Sequence, residues 1–203
     1  MVIKCVTKVE VETLQREAQR TLSNDYNVHV TMLRCPRLKI VDVTPEISLD
    51  NIEDDLRRQN SYILESDYLK VVFVRNHSNK NTKTIFLECS SELFHKCVRK
   101  GRVYLQWQNC RIFEDITVPR CYKCQGYNHK RTDCKNSSVC GYCMDGHETE
   151  QCSKHFKRCA NCTSAKSKYK KNYDAAHEVN DPACPSYKYM LDVVRSKIDY
   201  GKQ

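Results

Sequence analysis

Glycine is scarce in this chain, with only five in 203 residues. Phosphate-cradling loops need glycines at fixed intervals, and neither G-x-x-x-x-G-K-[ST] nor G-x-G-x-x-G is present. None of the seven histidines opens an H-E-x-x-H or an H-x-E motif, so the general base of metalloproteases and zinc deaminases is missing. We therefore expect no enzymatic activity and no small-molecule substrate.

Long apolar runs are also missing. The N-terminal stretch MVIKCVTKVEVETLQ lacks the apolar segment of a signal peptide, and no stretch is long and apolar enough to span a membrane. The sequence thus predicts an intracellular protein, cytoplasmic and/or nuclear, with no membrane partner. Cysteines in such a compartment stay reduced, which favours metal binding over the alternative of a disulfide framework.

The 14 cysteines are unevenly distributed, and nine follow Arg120. The other five lie in strand-like and helix-like stretches without ligand spacing, so we expect small core residues. These five are Cys5, Cys35, Cys89, Cys97 and Cys110.

Two segments have the spacing of structural zinc sites, C-x2-C-x4-H-x4-C and C-x2-C-x3-H-x4-C. A C-x2-C pair brings two sulfurs to one point, and the following His and Cys complete a tetrahedron with no open position for a substrate. The predicted ligands are Cys121, Cys124, His129 and Cys134 in the first segment, and Cys140, Cys143, His147 and Cys152 in the second. Structural zinc contributes on the order of 10–16 kcal/mol, so we expect these segments to be disordered without it.

A third site begins at CANC, and its predicted ligands are Cys159, Cys162, His177 and Cys184, in the pattern C-x2-C-x14-H-x6-C. The insert TSAKSKYKKNYDAA is rich in lysine and tyrosine. Loop closure entropy grows only slowly with length, so a long insert is tolerated. His155 is a rival ligand for the second or the third site. The sequence thus predicts three Zn²⁺ ions as cofactors.

The N-terminal half alternates strands and helices. The pattern of residues 1–37 indicates a β-α-β segment, which we interpret as the second half of a first ferredoxin-like unit, with one helical face made by Val11, Leu14, Ala18 and Leu22. Residues 38–117 show the order βαββαβ, with strands at 38–43, 69–74 and 83–89 and a polar turn at 75–82. A last strand pair follows residue 101. This order is used by RNA recognition motifs (RRMs).

Two helices are expected inside this second unit. Ser48 is predicted to cap the first, which would bury Leu49, Ile52 and Leu56. Ser90 or Ser91 is predicted to cap the second, which would bury Leu93, Phe94, Cys97 and Val98 and end at Gly101. Only Phe86 is aromatic on the two central strands, so base stacking on the sheet competes with a protein-binding or scaffold role.

The fold class expected is therefore α+β, an RRM-like domain followed by three small CCHC zinc knuckles. Their boundaries are 118–135, 136–153 and 154–190, and residues 191–203 form a C-terminal helix or tail. A helix is predicted to start at Pro185, with Met190, Val194 and Ile198 on one face.

Charge and aromatic residues point to single-stranded nucleic acid. Residues 118–203 carry 16 Lys+Arg and nine Asp+Glu, whereas residues 1–117 carry 18 and 16. Rings in small zinc knuckles stack on unpaired bases, and nearby cations meet phosphates. The residues predicted to contact nucleic acid are Tyr122, Lys123, Tyr127, Lys130, Arg131, Lys135 and Tyr142. The alternative is that the tyrosines only shield the metal.

The run GRVYLQWQNCRIFEDITVPRCYKCQGYNHKRTDC and the later CANC…DAAHEVNDPACPSY carry a family resemblance. They resemble Gag-like proteins encoded by the first open reading frame of insect non-LTR retrotransposons of the jockey and I type. In that family an RRM-like, pre-C2HC region leads into a row of CCHC knuckles. The resemblance covers about residues 38–190. One departure is Asn128, which stands where many knuckles have a glycine before the histidine; Asn tolerates positive φ.

The resemblance implies the RRM-like fold, the twelve zinc ligands named above, and binding of RNA or single-stranded DNA. It further implies self-association into ribonucleoprotein particles and nucleic-acid chaperoning. Two other functions stay open: a zinc-held protein-interaction module, and a host or domesticated RNA-processing protein.

Overall fold

The computed structural model describes residues 8–22, 28, 30 and 33–201. The chain divides into two units, one ending at Arg34 and the other beginning at Cys35. In the first unit, helix α1 spans Lys8–Thr21, where a helix was expected. Its predicted apolar face is not buried, because Leu14 is 39% exposed and Leu22 lies one residue beyond the helix end.

The strands predicted on either side of α1 fall largely outside the described residues. Residues 2–7 and most of 26–33 are in this category. Three positions of the second predicted strand are described, Val28, Val30 and Leu33, and none of them is in a strand. The β-α-β arrangement of residues 1–37 stays a prediction.

The second unit has a mixed α+β fold built on one sheet. Its elements are β1 (Arg37–Val43), α2 (Ile52–Gln59), β2 (Leu69–His77), β3 (Thr82–Cys89), α3 (Ser91–Lys100), β4 (Arg102–Leu105) and β5 (Gln108–Glu114). All strand pairs are antiparallel, in the order β2-β3-β1-β5-β4. The polar turn predicted at 75–82 is shorter than expected, because β2 continues to His77 and a 3₁₀ turn at Ser78–Lys80 follows.

The core lies between the sheet and the two helices. Alternate strand residues such as Leu38, Ile40, Ile85 and Leu87 are almost completely buried, as period-2 burial of one sheet face requires. Helix residues on the same side complete this cluster, among them Ile52, Leu56, Leu93, Phe94 and Cys97. The buried residues of this core all come from residues 38–112, and Tyr200 packs against it from the C-terminal half.

The predicted cap of α2 is wrong. Ser48 Oγ accepts the N–H of Asp50 at 3.2 Å, which closes a local turn. The helix N-cap is instead Asn51, in the left-handed region at φ 58°. Because the helix starts later than predicted, Leu49 lies outside it and is 42% exposed, whereas Ile52 and Leu56 are buried as expected.

The predicted caps of α3 are confirmed. Ser90 Oγ accepts from the backbone N–H of Leu93, and Gly101 takes a left-handed conformation at φ 67° while its N–H bonds to the Cys97 carbonyl. Val98 is 45% exposed, so its predicted burial is wrong. The buried residues of α3, at positions 93, 94 and 97, form a narrow stripe along the helix, and Val98 lies outside this stripe.

The cysteines outside the zinc-like segments mostly behave as core residues. Cys89, Cys97 and Cys110 are buried, whereas Cys35 is exposed, which corrects the prediction for that residue. Cys5 lies outside the described residues. Burial raises the pKa of Cys97 to about 12 and that of Cys110 to about 11, so these thiols are inert at neutral pH.

The helix-free face of the sheet carries one row of side chains across four strands. Phe73 pairs with Phe86, Phe86 with Lys39, and Lys39 with Phe113. Phe86 is only 6% exposed, because Phe73 stacks on it with ring centroids 4.1 Å apart and the Arg75 guanidinium lies 5.2 Å from its centroid. The exposed rings are Phe73 at 41% and Phe113 at 44%.

The β4 edge of the sheet is closed by side chains that follow α2. The Asn60 amide donates to the Tyr104 carbonyl at 2.8 Å and accepts the Tyr104 N–H at 2.9 Å. Gln59 donates to the Gln106 carbonyl, and the Tyr62 hydroxyl donates to the Arg102 carbonyl. These bonds occupy the groups that would otherwise recruit another strand.

We predict that Asn60→Ala lowers the free energy of unfolding by about 1–3 kcal/mol, because it leaves both backbone groups of Tyr104 without their partner. Urea denaturation followed by circular dichroism measures this change. Asn109→Ala is the matched control, since Asn109 is exposed on β5. Equal stability of the two variants would contradict the edge-closing role of Asn60.

In the described part of the chain, no helix combines the length and apolar character needed to cross a membrane.

Candidate metal centres

Three Cys3His groups form in the second unit, from the same twelve residues that the spacing predicts as ligands. Within each group the ligand atoms lie within 4.8 Å of one another. In a tetrahedron with metal–sulfur bonds of about 2.3 Å, two sulfurs are separated by about 3.8 Å. Cys184 Sγ lies 3.8 Å from Cys159 Sγ and 3.5 Å from Cys162 Sγ. Each group could hold a metal ion, and its donor set is consistent with zinc.

His155, the rival ligand, belongs to none of these three groups. His177 takes the position instead, with Nε2 3.6 Å from Cys162 Sγ. The third group therefore uses the distant histidine beyond the insert.

The first two groups are built on the same backbone turn. In the first, the Gln125 N–H bonds to the Cys121 carbonyl at 2.8 Å. In the second, the Met144 N–H bonds to the Cys140 carbonyl at 3.1 Å. Gln125 and Met144 both have positive φ, 63° and 73°. This positive φ reverses the chain direction after each C-x2-C pair. Short 3₁₀ turns at Arg131–Asp133 and Thr149–Gln151 directly precede the last cysteine of each group.

Asn128 stands where many knuckles have a glycine, and its backbone has a φ of 68°. Asparagine is among the non-glycine residues that enter this region most readily. Gly146, the equivalent residue of the second group, is not among the positive-φ glycines of the described chain. The substitution is therefore compatible with the turn.

The third group is held by two helices. Helix α4 (Ala160–Tyr169) begins directly after Cys159 and carries Cys162 in its first turn. Helix α5 (Pro185–Arg195) begins directly after Cys184, with its proline in the first turn as predicted. The Cys159 N–H bonds to the Ala175 carbonyl at 2.9 Å, which returns the long insert to the site and brings in His177.

The sulfur of Cys124 receives two hydrogen bonds, from the Gly126 N–H at 3.4 Å and the Asn136 amide at 3.6 Å. Burial disfavours the thiolate, but hydrogen bonds from Asn136 and Gly126, together with those from Cys134 and His129, lower the pKa of Cys124 to about 6. The His129 Nδ1 lies 3.1 Å from the Tyr127 carbonyl, and an N–H there leaves Nε2 free to face the sulfur.

The three groups are packed into one array, and Gln125 lies at its centre. Its side chain is 3% exposed and donates to the Tyr122 and Val139 carbonyls at 3.2 and 3.1 Å, the second of which directly precedes the second group. The Gln125 carbonyl accepts from the Asn161 amide at 2.9 Å, and Asn161 lies between two ligands of the third group. One residue thus links all three groups.

Two further side chains connect the first group to the third. The Arg120 guanidinium donates to the Val179 carbonyl at 3.1 Å. Tyr127 is half-buried, and its hydroxyl is buried without a hydrogen-bond partner among the described residues. Burial, followed by the negative potential of the cysteines of the third group, raises the pKa of Tyr127. Its ring therefore packs inside the array.

Gly141 is a point of close approach between the second and third groups. The Val179 N–H bonds to the Gly141 carbonyl at 3.0 Å. A Cβ at position 141 would lie 3.1 Å from Val179 Cγ2, 3.2 Å from Thr149 Oγ1 and 3.4 Å from Gln125 Cδ. Only glycine fits here without displacement of a neighbour.

The end of the chain joins the array to the sheet. The Tyr200 ring contacts Phe94 edge-on, with centroids 5.0 Å apart, and its hydroxyl donates to the Glu114 carboxylate. Arg195, the last residue of α5, pairs with Glu114 at 3.1 Å, and the His95 Nε2 lies 2.8 Å from the Tyr200 carbonyl. The predicted helix is present, but Ile198 lies beyond its end.

The residues predicted to contact nucleic acid are placed unequally. Tyr122 is 70% exposed, whereas Tyr142 is half-buried below the Lys157 ammonium, 5.7 Å from its ring centroid. Arg131 pairs with Glu148 at 3.4 Å. Lys123 is half-buried, and its ammonium lies 3.5 Å from the Cys134 carbonyl.

Lys130 and Lys135 are exposed and have no ion pair among the described residues. Of the predicted cations, these two are therefore the most available to a phosphate.

Sequence reasoning missed the residues that hold the array together: Arg120, Gln125, Gly141 and Asn161. Gln125 and Asn161 sit one residue from a ligand, in segments that read as ordinary knuckle loops. Two amides and one glycine leave no periodic pattern. The one feature of the sequence that could have indicated this packing is Gly141, the glycine between Cys140 and Cys143.

We predict that the metal-loaded chain exposes few reactive thiols. An alkylating reagent at neutral pH should label Cys35 quickly, and at most Cys5 besides, because the other core thiols are buried. A chelator should then add nine reactive cysteines, those of the three groups. Mass spectrometry counts the labels. Full labelling before chelation would show that the groups hold no metal.

We also predict that Gly141→Ala weakens metal retention at the second and third groups together, since overpacking costs roughly 1–3 kcal/mol. Competition with a chromogenic chelator measures the retention. Gly146→Ala is the matched control, because a Cβ there meets nothing within 4 Å. Indistinguishable release curves for the two variants would show that the groups do not depend on this contact.

Sequence comparison finds a similar protein in a mobile element. The chain is 24% identical over 169 residues to an uncharacterised 50 kDa protein of the type I retrotransposable element R1DM of Drosophila melanogaster, which covers 80% of this chain. The chain spans about a third of the length of that relative (34%). Neither a family model nor a solved structure matches the chain. It is thus similar to a retrotransposon-encoded protein and carries three Cys3His groups that could hold metal ions.

Proposed function

We propose that this chain is a Gag-like retrotransposon protein that binds single-stranded RNA or DNA through three zinc knuckles. The observation that carries the proposal is the packed array of three Cys3His groups in a basic half of the chain, together with similarity to a retrotransposon protein. Ribonucleoprotein assembly by self-association and nucleic-acid chaperoning complete the proposed role.

Zinc is the metal that these groups suit best. Three sulfurs and one imidazole nitrogen form a closed tetrahedral donor set, which is typical of structural zinc. Zinc held in this way orders the surrounding backbone and side chains. The proposed role is therefore structural, and catalysis is not part of it.

Tyr122 is the ring best placed to meet a base. It is 70% exposed, and the Arg120 guanidinium lies 5.5 Å from its centroid. An arginine beside an exposed ring can stack on a base or pair with a phosphate. Lys130 and Lys135 supply unpaired positive charge nearby in the sequence. Tyr127, with its buried hydroxyl, acts in this proposal as a packing residue.

The finer fold assignment, an RRM-like and ferredoxin-like domain, is also a proposal. The order βαββαβ with one additional short strand supports it, as do two helices on a single face of an antiparallel sheet. On the open face, Phe73 and Phe113 are exposed whereas Phe86 is covered.

A protein-interaction role is the second candidate, and one observation favours it. Trp107, the single tryptophan, is 70% exposed at the turn between β4 and β5. Exposed tryptophans are enriched at the centres of protein interfaces. A host or domesticated RNA-processing protein is a further reading; an adjacent reverse-transcriptase frame in the genome would distinguish an element from a domesticated gene.

We predict that Tyr122→Ala weakens binding of a short single-stranded oligonucleotide by roughly 1–3 kcal/mol, the contribution of one stacked base. The slope of affinity against salt should stay unchanged, because no charge is removed. Fluorescence anisotropy at several salt concentrations measures both quantities.

Tyr189→Ala is the control, since Tyr189 is a 57% exposed tyrosine on α5. Native mass spectrometry must show three zinc ions in each variant, so that loss of affinity is separated from loss of the fold. Wild-type affinity in a fully loaded Tyr122→Ala chain would refute stacking. Absence of strand binding by the wild-type chain would refute the proposed function itself.

A further inference from the structure

The insert of the third group forms a cleft that none of the predicted contacts includes. Helix α4 is one wall, with Thr163 and Lys166 three residues apart on the same face. Residues 172–175 form the other wall, and Arg158 lies at the base, where the Cys159 N–H binds the Ala175 carbonyl. The cavity has a volume of about 580 Å³. Small-molecule sites have volumes of roughly 300–1,000 Å³, a range that includes this cavity.

Helix α4 is buried only near its start, and its second half is exposed. Only Ala160 and Cys162 are buried, and residues 166–169 are all exposed. Tyr169, at the helix end, is 72% exposed. The first turns of the helix pack against α5, and Cys162 lies in the first of them. Thr163 and Lys166 of the same helix line the cleft.

The electrostatics of this segment favour an anion. Residues 157–176 contain six lysines and arginines and one carboxylate, Asp174. Among the described residues, only Lys157 of these six forms an ion pair, with Glu178 at 3.4 Å. Five cations therefore lack a counter-charge, and Arg158 and Lys166 are the two that line the cavity. Such an uncompensated patch attracts a polyanion.

The remaining lining groups suit a base rather than a bare phosphate. The half-buried ring of Tyr173 packs against the core of the third group, which fixes it in place. Asn172 presents an amide that can both donate and accept. Asp174 Oδ1 accepts the Ala176 N–H at 2.9 Å, which holds the wall in its turn. Two cations, a tyrosine, an asparagine and one carboxylate thus line the same cavity.

We propose that this cleft binds one nucleotide unit of a single strand, with Arg158 and Lys166 on its phosphate and Tyr173 and Asn172 against its base. The inference rests on the proposed function and extends it, because it assigns a phosphate contact to Arg158, directly before the third group, and to Lys166 in its insert. The first knuckle then holds the strand through Tyr122, and the cleft holds it at a second point.

The test is the double variant Arg158→Ala/Lys166→Ala in the full chain loaded with zinc. Binding of oligouridylate and oligothymidylate is measured across a range of salt concentrations. Loss of two phosphate contacts should reduce the log–log salt slope by roughly 1.4, at about 0.7 per contact, and the affinity by roughly 10-fold or more at 0.1 M salt. Arg158→Lys/Lys166→Arg, which keeps both charges, should retain the slope.

The matched control is Lys154→Ala/Lys188→Ala, which removes two exposed lysines of the same half that do not line the cavity. If both double alanine variants reduce the slope equally, the basic surface is diffuse and the cleft proposal is wrong. If the wild-type chain binds strands and the cleft variant matches it, the cleft proposal fails while the proposed function stands. If the wild-type chain binds no strand, both fail.

A second measurement tests the cleft directly. Uridine monophosphate is titrated into the ¹⁵N-labelled, zinc-loaded chain, and the amide signals of Thr163, Asn172 and Tyr173 are followed. Shifts confined to these residues, absent in the double alanine variant, support the proposal. Equal shifts with inorganic phosphate alone would overturn the base contact. Tighter binding of polyglutamate than of either strand would assign the patch to an acidic protein.

Discussion

The C-terminal half depends on neutralisation of nine cysteine sulfurs that converge in three small spaces. Thiolates about 4 Å apart repel one another strongly where water is excluded. A divalent cation at the centre of each group would convert this repulsion into attraction, and amide N–H groups such as those that face Cys124 reduce the remaining charge. Residues 118–184 have no aliphatic core like that of the sheet. The buried cluster in this segment contains only Ala160 and Val179 besides three cysteines.

Mutual packing of the three groups changes what the metal ions stabilise. In a flexible string of knuckles, each site would order only its own loop. Here Gln125 and Asn161 lie beside ligands of the first and third groups and bind to each other, so order at one site fixes the partner of the other. Because a buried amide left without its partner costs free energy, we expect metal loss at one group to weaken its neighbours. The three groups would then unfold together, although the sequence presents them as three separate segments.

The spacing of cysteine and histidine was enough to predict all three quartets, because ligand geometry constrains short segments strongly. Strand positions and the Ser90 and Gly101 caps also follow from local rules. The wrong predictions concern contacts that the local sequence pattern does not show. Asn51 replaced Ser48 as a cap because the serine closed a turn of its own. Tyr127 was assigned to the surface on residue type, although its environment comes from a segment more than 30 positions away. Contacts made by single amides over such separations leave no local signal.

The connection between α5 and the sheet gives the array a defined position. The third group fixes the start of α5 through Cys184, and the end of α5 reaches Glu114 on the last strand of the sheet. Glu114 lies six residues before Arg120, so the array is attached to the sheet at both its entry and its exit. A chain segment tied at both ends loses much of its freedom to rotate. A single strand bound as proposed would therefore meet Tyr122 and the insert cleft at a fixed separation, and the entropy of aligning the two contact points would be lost on folding rather than on binding.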